Sequence, residues 1–583
     1  MCDSRDTGIV SIIVESTINN DLTPVLRAIC LNKPQCVAFS CYIWNILQVD
    51  RLASDVKKVL PGVRIIFGGP EVSFNTVDFM RSHPYVDYIL SGEAEDNLPE
   101  LLKAIDNGSV DGFTEADTKG LTGLTFRKNT DILSDAACPF PLIRRLESLP
   151  SPYNDEMLQA CSDRIIYFES SRGCPFKCSY CLSPATGGVR YYPMDRVKQE
   201  LSRFARNGAR LVKFVDRTFN CDPARAKELF RFIISGRKIG ELQGTYHFET
   251  APDLFDEEMI DILSYAPPGL IQFETGIQTL NDESLQIIGR RMDTDRSFYY
   301  INKLVAAGNL HIHADLIAGL PKEDLPSFRD TFDRVYRLAP HRLQLGLLKC
   351  LKGSRIASES GLYGYGFSEY PPYPVLFSND LSFSDVMLLT DIADYIDRFY
   401  NSGRFAGTMV FIMKHLFNSP FAFFEDLRKF FISFSGRKIE ENACPRSTRE
   451  QYDLLYRFIT YIAGANRKMP AIVFDLLKYD FLCSDKSCYL PNFISQSVDV
   501  EYKARCVSFL KEALSHNTFP GLFNGLSLKQ VLNSVHFEEF KFDILDEKLD
   551  PDSEITSISI LFDYNSKNSV TGRYSYRKIV DKF

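Results

Sequence analysis

Apolar runs suited to buried strands alternate with amphipathic helical stretches over roughly the first hundred residues. The strand-like runs fall at residues 9–14, 36–42, 63–67 and 88–90. Because these runs lack polar alternation, they predict strands covered on both faces by helices, as in a parallel sheet. We therefore predict an α/β, Rossmann-like domain over residues 1–108, with its ligand site at the carboxyl ends of the strands.

The alternation of strand-like and helical stretches weakens after residue 108 and resumes from residue 155 with more units. Residues 109–154 show little periodicity and carry four prolines between positions 139 and 152, which predicts a linker with one hairpin. Strand candidates then recur at residues 165–169, 211–216, 244–249, 270–274, 311–316 and 342–348, separated by helical stretches such as 197–206. Six such units over residues 155–364 predict a partial (β/α)6 TIM-type barrel, whose functional groups lie at the strand ends.

Residues 365–583 follow a different pattern. Long aromatic-rich stretches such as 385–400 and 449–463 have helical periodicity, and a strand candidate falls at 555–563. We predict a mostly helical accessory domain. Its many Phe and Tyr side chains are expected to fill the helical core rather than to line a substrate cavity.

Composition narrows the function classes. The 583 residues include 67 basic and 75 acidic side chains, a net charge of -8, so there is no clear signature of nucleic-acid binding. No run approaches the roughly 18 apolar residues of a membrane span, and the first residues lack a secretory signal, so we expect a cytoplasmic protein. The 15 scattered cysteines favour reduced thiols and a metal site over a disulfide framework.

Three of those cysteines form the strongest motif in the chain. Cys174, Cys178 and Cys181 have CxxxCxxC spacing directly after the first predicted barrel strand. Thiolates suit zinc or an iron-sulfur cluster, and three ligands on a four-iron cluster leave one iron open to another molecule. The alternative is a structural zinc site that takes Cys483 or Cys488 as its fourth ligand.

A CxxxCxxC loop at the first strand of a six-unit barrel resembles the radical S-adenosylmethionine superfamily. The resemblance implies that Cys174, Cys178 and Cys181 hold a 4Fe-4S cluster whose open iron chelates S-adenosylmethionine. In that family, electron transfer cleaves the cofactor to methionine and a 5'-deoxyadenosyl radical. The resemblance also implies a reductant such as flavodoxin or ferredoxin and an organic substrate that the sequence does not identify. Tyr180 occupies the family's aromatic position that packs on adenine.

Segments on later strands resemble the same family in the correct order: VDRTFN after the second strand, FETGIQT on the fourth and ADLIAGLPKE on the fifth. By this resemblance Asp216 and Arg217 meet the methionyl part of the cofactor, and Glu274 meets a ribose hydroxyl or an amino group. Ile317 would form a wall beside the adenine, and Gly319 would permit close approach of the ligand.

The amino-terminal segments FSCYIWN, FGGPEV and SGEAE resemble the cobalamin-binding domains that precede the barrel in one branch of this superfamily. The domain lacks the Asp-x-His-x-x-Gly segment that supplies a lower histidine ligand in some cobalamin proteins. Relatives begin with a further strand and helix, so the domain is expected to be truncated at its start. The cobalamin contacts implied by the resemblance are Ser40, Tyr42, Gly68, Gly69, Pro70, Gly92 and Glu93.

These resemblances lead to a cobalamin-dependent radical enzyme that methylates an unreactive carbon as the first hypothesis. Relatives also catalyse cyclisations and rearrangements, which is one alternative. A second is a methylthiotransferase, although Cys2, Cys30, Cys36 and Cys41 are not spaced for its second cluster. A third is a sensor that binds the cluster or cobalamin without turnover. The sequence assigns no catalytic residue.

Overall fold

The computed structural model of the protein describes residues 8–108, 121–134, 140–161, 163–435, 444–464, 466, 468–486, 491, 493–494, 500–516, 523 and 525–579. It has an α/β amino-terminal domain, a partial barrel and a helical carboxy-terminal region.

The amino-terminal domain is built on one five-stranded sheet. Its strands, in spatial order, are β1 (Cys36–Ser40), β2 (Arg64–Gly68), β3 (Tyr88–Leu90), β4 (Leu124–Lys128) and β5 (Asp131–Ser134). Its helices are α1 (Leu22–Leu31), α2 (Ile46–Val59), α3 (Thr76–Ser82) and α4 (Asn97–Asp106). The first three strands are parallel, whereas β3–β4 and β4–β5 pair antiparallel. The parallel sheet predicted within residues 1–108 is confirmed by β1, β2 and β3, and the hairpin that the sequence placed between residues 109 and 154 adds two antiparallel strands to it.

Alternating side chains of the central strand pack against opposite layers of helices. Ile65 and Phe67 lie in the core formed with α1, α2 and α3, whereas Ile66 lies in the core formed with α4. Both faces of the sheet are thus covered, as the apolar runs predicted.

The predicted strand at residues 9–14 is wrong. The structure has no strand there, and the side chains of Val10, Ile12 and Ile13 are exposed. A β-strand needs a neighbouring backbone as well as an apolar sequence. In the part of the chain that the structure describes, β1 pairs along one edge only, with β2, so residues 9–14 are not part of the sheet.

The barrel has six parallel strands, which confirms the predicted units. Their order is β13-β12-β11-β10-β9-β6, and a two-stranded ribbon, β7 and β8, lies beside them. The strands are β6 (Ile165–Phe168), β7 (Ser171–Arg172), β8 (Arg190–Tyr191), β9 (Leu211–Phe214), β10 (Thr245–Thr250), β11 (Ile271–Gln278), β12 (His311–Ala318) and β13 (Arg342–Leu347). The helices are α5 (Asp155–Ala160), α6 (Met194–Arg206), α7 (Pro223–Lys238), α8 (Glu257–Ser264), α9 (Asp282–Ile287), α10 (Thr294–Ala306), α11 (Leu325–Tyr336) and α12 (Arg355–Ser358).

The carboxy-terminal region is mainly helical, as predicted. It contains the short pair β14 (Gly366–Phe367) and β15 (Val375–Phe377), and a three-stranded antiparallel sheet of β16 (Val535–Phe540), β17 (Ile558–Lys567) and β18 (Tyr574–Ile579). The helices are α13 (Phe383–Tyr395), α14 (Ala406–His415), α15 (Pro420–Ser435), α16 (Thr448–Ala463), α17 (Lys468–Ser484), α18 (Val500–Ser515) and α19 (Leu528–Ser534), and a π-helical turn follows α13. The sequence predicted only the middle strand of this sheet.

One continuous core joins this region to the barrel. Phe405, Phe421 and Tyr452 are buried in the same apolar cluster as Ala314 of β12 and Phe328 of α11. The prediction that the aromatic side chains fill a helical core is confirmed. Among the described residues, no helix combines the length and the apolar character needed to cross a membrane.

Candidate active site

The cysteine loop is held at the carboxyl end of the first barrel strand by a buried carboxylate. Asp216, which follows β9, accepts hydrogen bonds from the Ser170 amide at 2.9 Å, the Ser170 hydroxyl at 2.7 Å and the Ser171 hydroxyl at 2.5 Å. Burial raises the pKa of the Asp216 carboxyl above its usual value, and the three hydrogen bonds from Ser170 and Ser171 offset only part of that rise. Asp216 thus fixes the two residues that open the loop.

The three predicted cluster ligands are neighbours in this loop. The Cys174 Sγ lies 3.4 Å from the Thr218 hydroxyl, and the Cys181 Sγ lies 3.4 Å from the Ser183 amide nitrogen, which donates to it. Burial raises the pKa of the Cys174 thiol, and the nearby thiols of Cys181 and Cys178 raise it further. The loop therefore carries three soft sulfur donors close together.

The chemistry of this donor set fits a four-iron cluster, which takes thiolate ligands and with three of them keeps one iron free of protein ligands. Among the described side chains, no three His, Cys, Asp or Glu groups converge closely enough to hold one ion. Cys483 lies in α17 beside Arg573 and Tyr479, so it does not complete a zinc site with the cysteine loop. Cys488, the other candidate for a fourth zinc ligand, lies outside the described residues.

A cation that the sequence reasoning missed lies beside the loop. The Arg290 guanidinium stands over the Phe176 ring, 5.7 Å from its centroid, and donates to the Gly276 carbonyl. Burial lowers the pKa of Arg290, but the neighbouring Tyr180 and Cys178 groups raise it by more, so the guanidinium stays charged. Only the tertiary structure brings this residue, which follows α9, to the cysteines.

The residues predicted to contact S-adenosylmethionine fall into three settings. Tyr180 and Ile317 pack against the same small apolar cluster, which brings two predicted adenine neighbours together. Gly319 has φ of 93°, and its carbonyl accepts a hydrogen bond from the Tyr365 hydroxyl at 2.8 Å. Arg217 is exposed.

Glu274 lies in a polar network on the inner face of the barrel. Its Oε2 accepts from His247 Nε2 at 3.0 Å and from the Lys213 ammonium at 3.1 Å. Phe248 and Phe273 point to the opposite, apolar side of the same strands. The inner face is therefore polar. Alternate side chains of β9 point to opposite faces of the sheet, so the sequence pattern alone would have placed Lys213 on this inner face.

The carboxyl groups on this inner face have different proton affinities. The hydrogen bond from His247, followed by the charge of Lys213, lowers the pKa of Glu274 to about 2. Burial, followed by the charges of Glu274 and Glu249, raises the pKa of Asp315 to about 8. At neutral pH the site therefore contains an ionised acceptor at Glu274 and a protonated carboxylic acid, which can donate a hydrogen bond, at Asp315.

The predicted cobalamin contacts lie at the carboxyl ends of β1, β2 and β3. Ser40 and Tyr42 are exposed, and the Tyr42 ring stacks on Trp44 with ring centroids 4.4 Å apart. Gly68 and Gly69 end β2, and Pro70 follows them. An exposed aromatic stack beside small residues suits a large flat ligand.

Two of the predicted contacts also have structural roles within the protein. Gly69 has φ of 102°, and a Cβ there would lie 2.6 Å from the Cys41 carbonyl oxygen. Gly92 has φ of 70°, and its Cβ would lie 2.5 Å from the Pro141 carbonyl oxygen. The protein's own backbone therefore requires glycine at both positions. Glu93, next to Gly92, forms ion pairs with the barrel.

Three family descriptions match successive parts of the chain. Residues 4–102 match the B12 binding domain, residues 168–335 match the Radical SAM superfamily, and residues 361–562 match a protein of unknown function (DUF4080). Each match covers one of the regions seen in the fold.

Two methyltransferases are similar to more than half of the chain. The chain is 26% identical over 354 residues to the 2-(S-pantetheinyl)-carbapenam-3-carboxylate methyltransferase of Streptantibioticus cattleyicolor, and 27% identical over 354 residues to the cobalamin-dependent radical SAM methyltransferase TokK of Streptomyces tokunonensis. Each alignment covers 58% of this chain, which spans about half (50%) of the length of each relative.

A solved structure shares the fold over more of the chain. The cobalamin-dependent S-adenosylmethionine radical enzyme OxsB with aqua-cobalamin bound superposes with a TM-score of 0.51 at 13% identity. The superposition covers 88% of this chain and 72% of that one.

Proposed function

We propose that this chain, which belongs to the radical S-adenosylmethionine superfamily and carries an amino-terminal B12-binding domain, is a cobalamin-dependent methyltransferase that acts on a polar substrate. One observation carries the proposal: the loop with three cysteines follows the first strand of a barrel whose inner face carries a polar network of Lys213, His247 and Glu274. The distant methyltransferase relatives support it.

The cofactors supply the reactive chemistry, and the protein positions them. When bound, the 4Fe-4S cluster with S-adenosylmethionine supplies radical chemistry, and cobalamin supplies a methyl carrier. In this proposal Cys174, Cys178 and Cys181 hold the cluster. The three soft thiol donors in one loop support that assignment.

Around S-adenosylmethionine, the neighbouring groups divide by charge. Tyr180 and Ile317 offer an apolar wall for the adenine ring, supported by their packing on one cluster. The buried Arg290 guanidinium offers charge-assisted hydrogen bonds to a carboxylate. Glu274 accepts and Asp315 donates, a pair suited to ribose hydroxyl groups.

For cobalamin, we propose a seat on the exposed carboxyl edge of β1–β3. Ser40, Tyr42 and the Gly68–Gly69–Pro70 turn form its rim, and Trp44 extends the Tyr42 stack. Gly69 and Gly92 avoid clashes within the protein, and because glycine has no side chain, both positions also leave space for cobalamin at the rim.

The inner barrel face supports a polar substrate. Lys213, His247 and Gln272 occupy one level of the strands, with His313 and Glu274 on the next. Burial and neighbouring imidazoles lower the pKa of His313 to about 3, so the ring is neutral and able both to donate and to accept. Among the described residues of this face, the buried Asp315 Oδ1 and His311 Nδ1 have no hydrogen-bond partner, and a purely apolar substrate would leave them unsatisfied, which is costly.

The test is product analysis with the loaded protein. The chain is reconstituted with iron and sulfide without oxygen, supplied with hydroxocobalamin, S-adenosylmethionine and a strong reductant, and incubated with pools of polar metabolites. We expect both S-adenosylhomocysteine and 5'-deoxyadenosine, and neither with Cys178→Ala. Formation of 5'-deoxyadenosine alone would favour a cyclase or rearrangement enzyme instead. Neither product from fully loaded protein would favour a sensor.

A further inference from the structure

Two arginines project from the ribbon that carries the cysteine loop. Arg172 on β7 is paired across the ribbon with Arg190 on β8, and the loop with all three cysteines runs between them. Two glutamates of the segment that follows β3 in the amino-terminal domain, Glu93 and Glu95, meet these arginines.

The four side chains form a dense ionic cluster, here called the interdomain clamp (Glu93, Glu95, Arg172 and Arg190). Arg190 Nη2 lies 2.5 Å from Glu93 Oε1, and its Nη1 donates to Glu93 Oε2 at 2.9 Å, a bidentate pair. Arg172 Nη1 lies 3.4 Å from Glu93 Oε2, while its Nη2 lies 2.5 Å from Glu95 Oε1. Arg172 Nη2 also lies 2.7 Å from Glu169 Oε1 at the end of β6.

The clamp is shielded from solvent, which distinguishes it from ordinary surface pairs. The side chains of Glu93 and Arg172 are only 14% and 16% exposed. Although burial opposes it, the Arg190 and Ile143 hydrogen bonds and both arginine charges lower the pKa of Glu93. Removing one partner would leave a poorly solvated charge, so each of the two domains fixes the geometry of the other.

The clamp lies next to both proposed cofactor sites. Arg172 is two residues before Cys174, the first proposed cluster ligand, and Glu93 follows Gly92 at the carboxyl end of β3, where the cobalamin rim lies. Movement of the Gly92–Glu93 segment therefore pulls directly on the ribbon of the cysteine loop.

We propose that Arg172 is a positioning residue through which occupancy of the cobalamin site changes the reduction properties of the iron-sulfur cluster. The inference rests on the proposed function, since it needs both cofactors in their proposed sites. Cobalamin on the strand edge fixes the Gly92–Glu93 segment, and Glu93 then fixes the guanidinium of Arg172. Because coupling of binding equilibria is reciprocal, reduction of the cluster changes cobalamin affinity by the same factor.

Arg172→Lys is the informative variant. It keeps the positive charge, but one ammonium cannot hold Glu93, Glu95 and Glu169 in the planar geometry of a guanidinium. Glu95→Gln is the second variant, since it removes one charge at similar size. Arg164→Lys is the matched control, because Arg164 also pairs across the two domains, with Glu15 at 3.2 Å, but both side chains are about two-thirds exposed (66% and 65%).

The test measures the midpoint potential of the cluster by EPR-monitored titration, with and without hydroxocobalamin, together with cobalamin affinity by absorbance. For the wild-type chain and Arg164→Lys, we expect a coupling of about tenfold, equal to a shift of about 59 mV for one electron. For Arg172→Lys with full iron content we expect less than a twofold coupling, and for Glu95→Gln an intermediate one.

The possible outcomes distinguish a failure of the proposed role of the interdomain clamp from a failure of the proposed function. If wild-type protein holds both cofactors and cobalamin does not move the potential, or if Arg172→Lys keeps the whole shift, the inference is overturned while the proposed function stands. If wild-type protein assembles no cluster or binds no cobalamin, the proposed function and this inference both fail.

Discussion

Asp216 offers the sharpest test of how the cysteine loop is built. The Asp216→Asn substitution keeps the size of the side chain but replaces one carboxylate oxygen with an amide nitrogen. The Ser170 amide donates to Oδ2, and the Ser170 and Ser171 hydroxyls donate to Oδ1. With the Asn oxygen at the Oδ2 position, the NH2 group can only donate to the two serine hydroxyls, which must then turn to accept; in the other orientation it meets the Ser170 amide donor.

The magnitude follows from the burial of the site. Asp216 is 1% exposed, so water cannot replace a lost acceptor. Replacing the carboxylate acceptor by a neutral amide weakens these buried hydrogen bonds, and we expect a cost of about 1–3 kcal/mol for Asp216→Asn. Asp216→Ala removes the acceptor for all three donors, and we expect about 3–5 kcal/mol, as for other buried charged networks that lose one partner.

Hydrogen exchange measured by mass spectrometry reads this loss locally. A loss of 1.4 kcal/mol raises the equilibrium constant for local opening about tenfold. Amides of residues 168–182 should therefore exchange about 5- to 100-fold faster in Asp216→Asn and about 100- to 3000-fold faster in Asp216→Ala. Peptides from β17 should not change. Asp324→Asn is the control, because exposed Asp324 caps α11 by accepting from the Ser327 amide at 2.9 Å, far along the chain from residues 168–182. Unchanged exchange over residues 168–182 in Asp216→Ala would refute the anchoring role.

Three further predictions address other parts of the account. Gly92→Ala should destabilise the protein by more than about 2 kcal/mol in thermal unfolding, because its φ is positive and its Cβ would meet Pro141, whereas Gly62→Ala, with open space around it, should not. Hydroxocobalamin should quench most of the fluorescence of Trp44, the single tryptophan, and no quenching at saturation would contradict the proposed cobalamin site. Tyr42→Ala should weaken cobalamin binding measured by this quenching, whereas Tyr461→Ala should not. Burial lowers the pKa of His313 to about 3, below its value in the unfolded chain, so the neutral ring stabilises the fold above about pH 6.5 and this contribution is lost as the pH falls. The free energy of unfolding should therefore decrease between pH 6.5 and pH 5, and His313→Gln should remove up to about 2 kcal/mol of that decrease, whereas the exposed His516→Gln should not.

The barrel strands were predictable because one face of each is apolar. In β11 and β12 the buried and accessible positions alternate strictly, so periodicity located both strands. The same reasoning failed at residues 9–14, since an apolar run becomes a strand only beside a neighbouring backbone. It also missed β16 and β18, which flank β17 in the sheet and each bury a single residue, so their apolar pattern is weak.

The candidate site was predictable to a similar extent. Spacing alone located Cys174, Cys178 and Cys181, because a cluster motif is local in sequence. Arg290 and the Glu93–Arg172 pair had no local signal, since their meaning comes from segments that meet only in the folded chain.

The most direct test of the central claim is reductive cleavage of S-adenosylmethionine. Protein reconstituted without oxygen is reduced, supplied with S-adenosylmethionine, and assayed for 5'-deoxyadenosine by liquid chromatography and mass spectrometry, with Cys178→Ala as the control. The account predicts 5'-deoxyadenosine from the wild-type chain and none from the variant. Absence of 5'-deoxyadenosine from wild-type protein that holds a reduced 4Fe-4S cluster would contradict it.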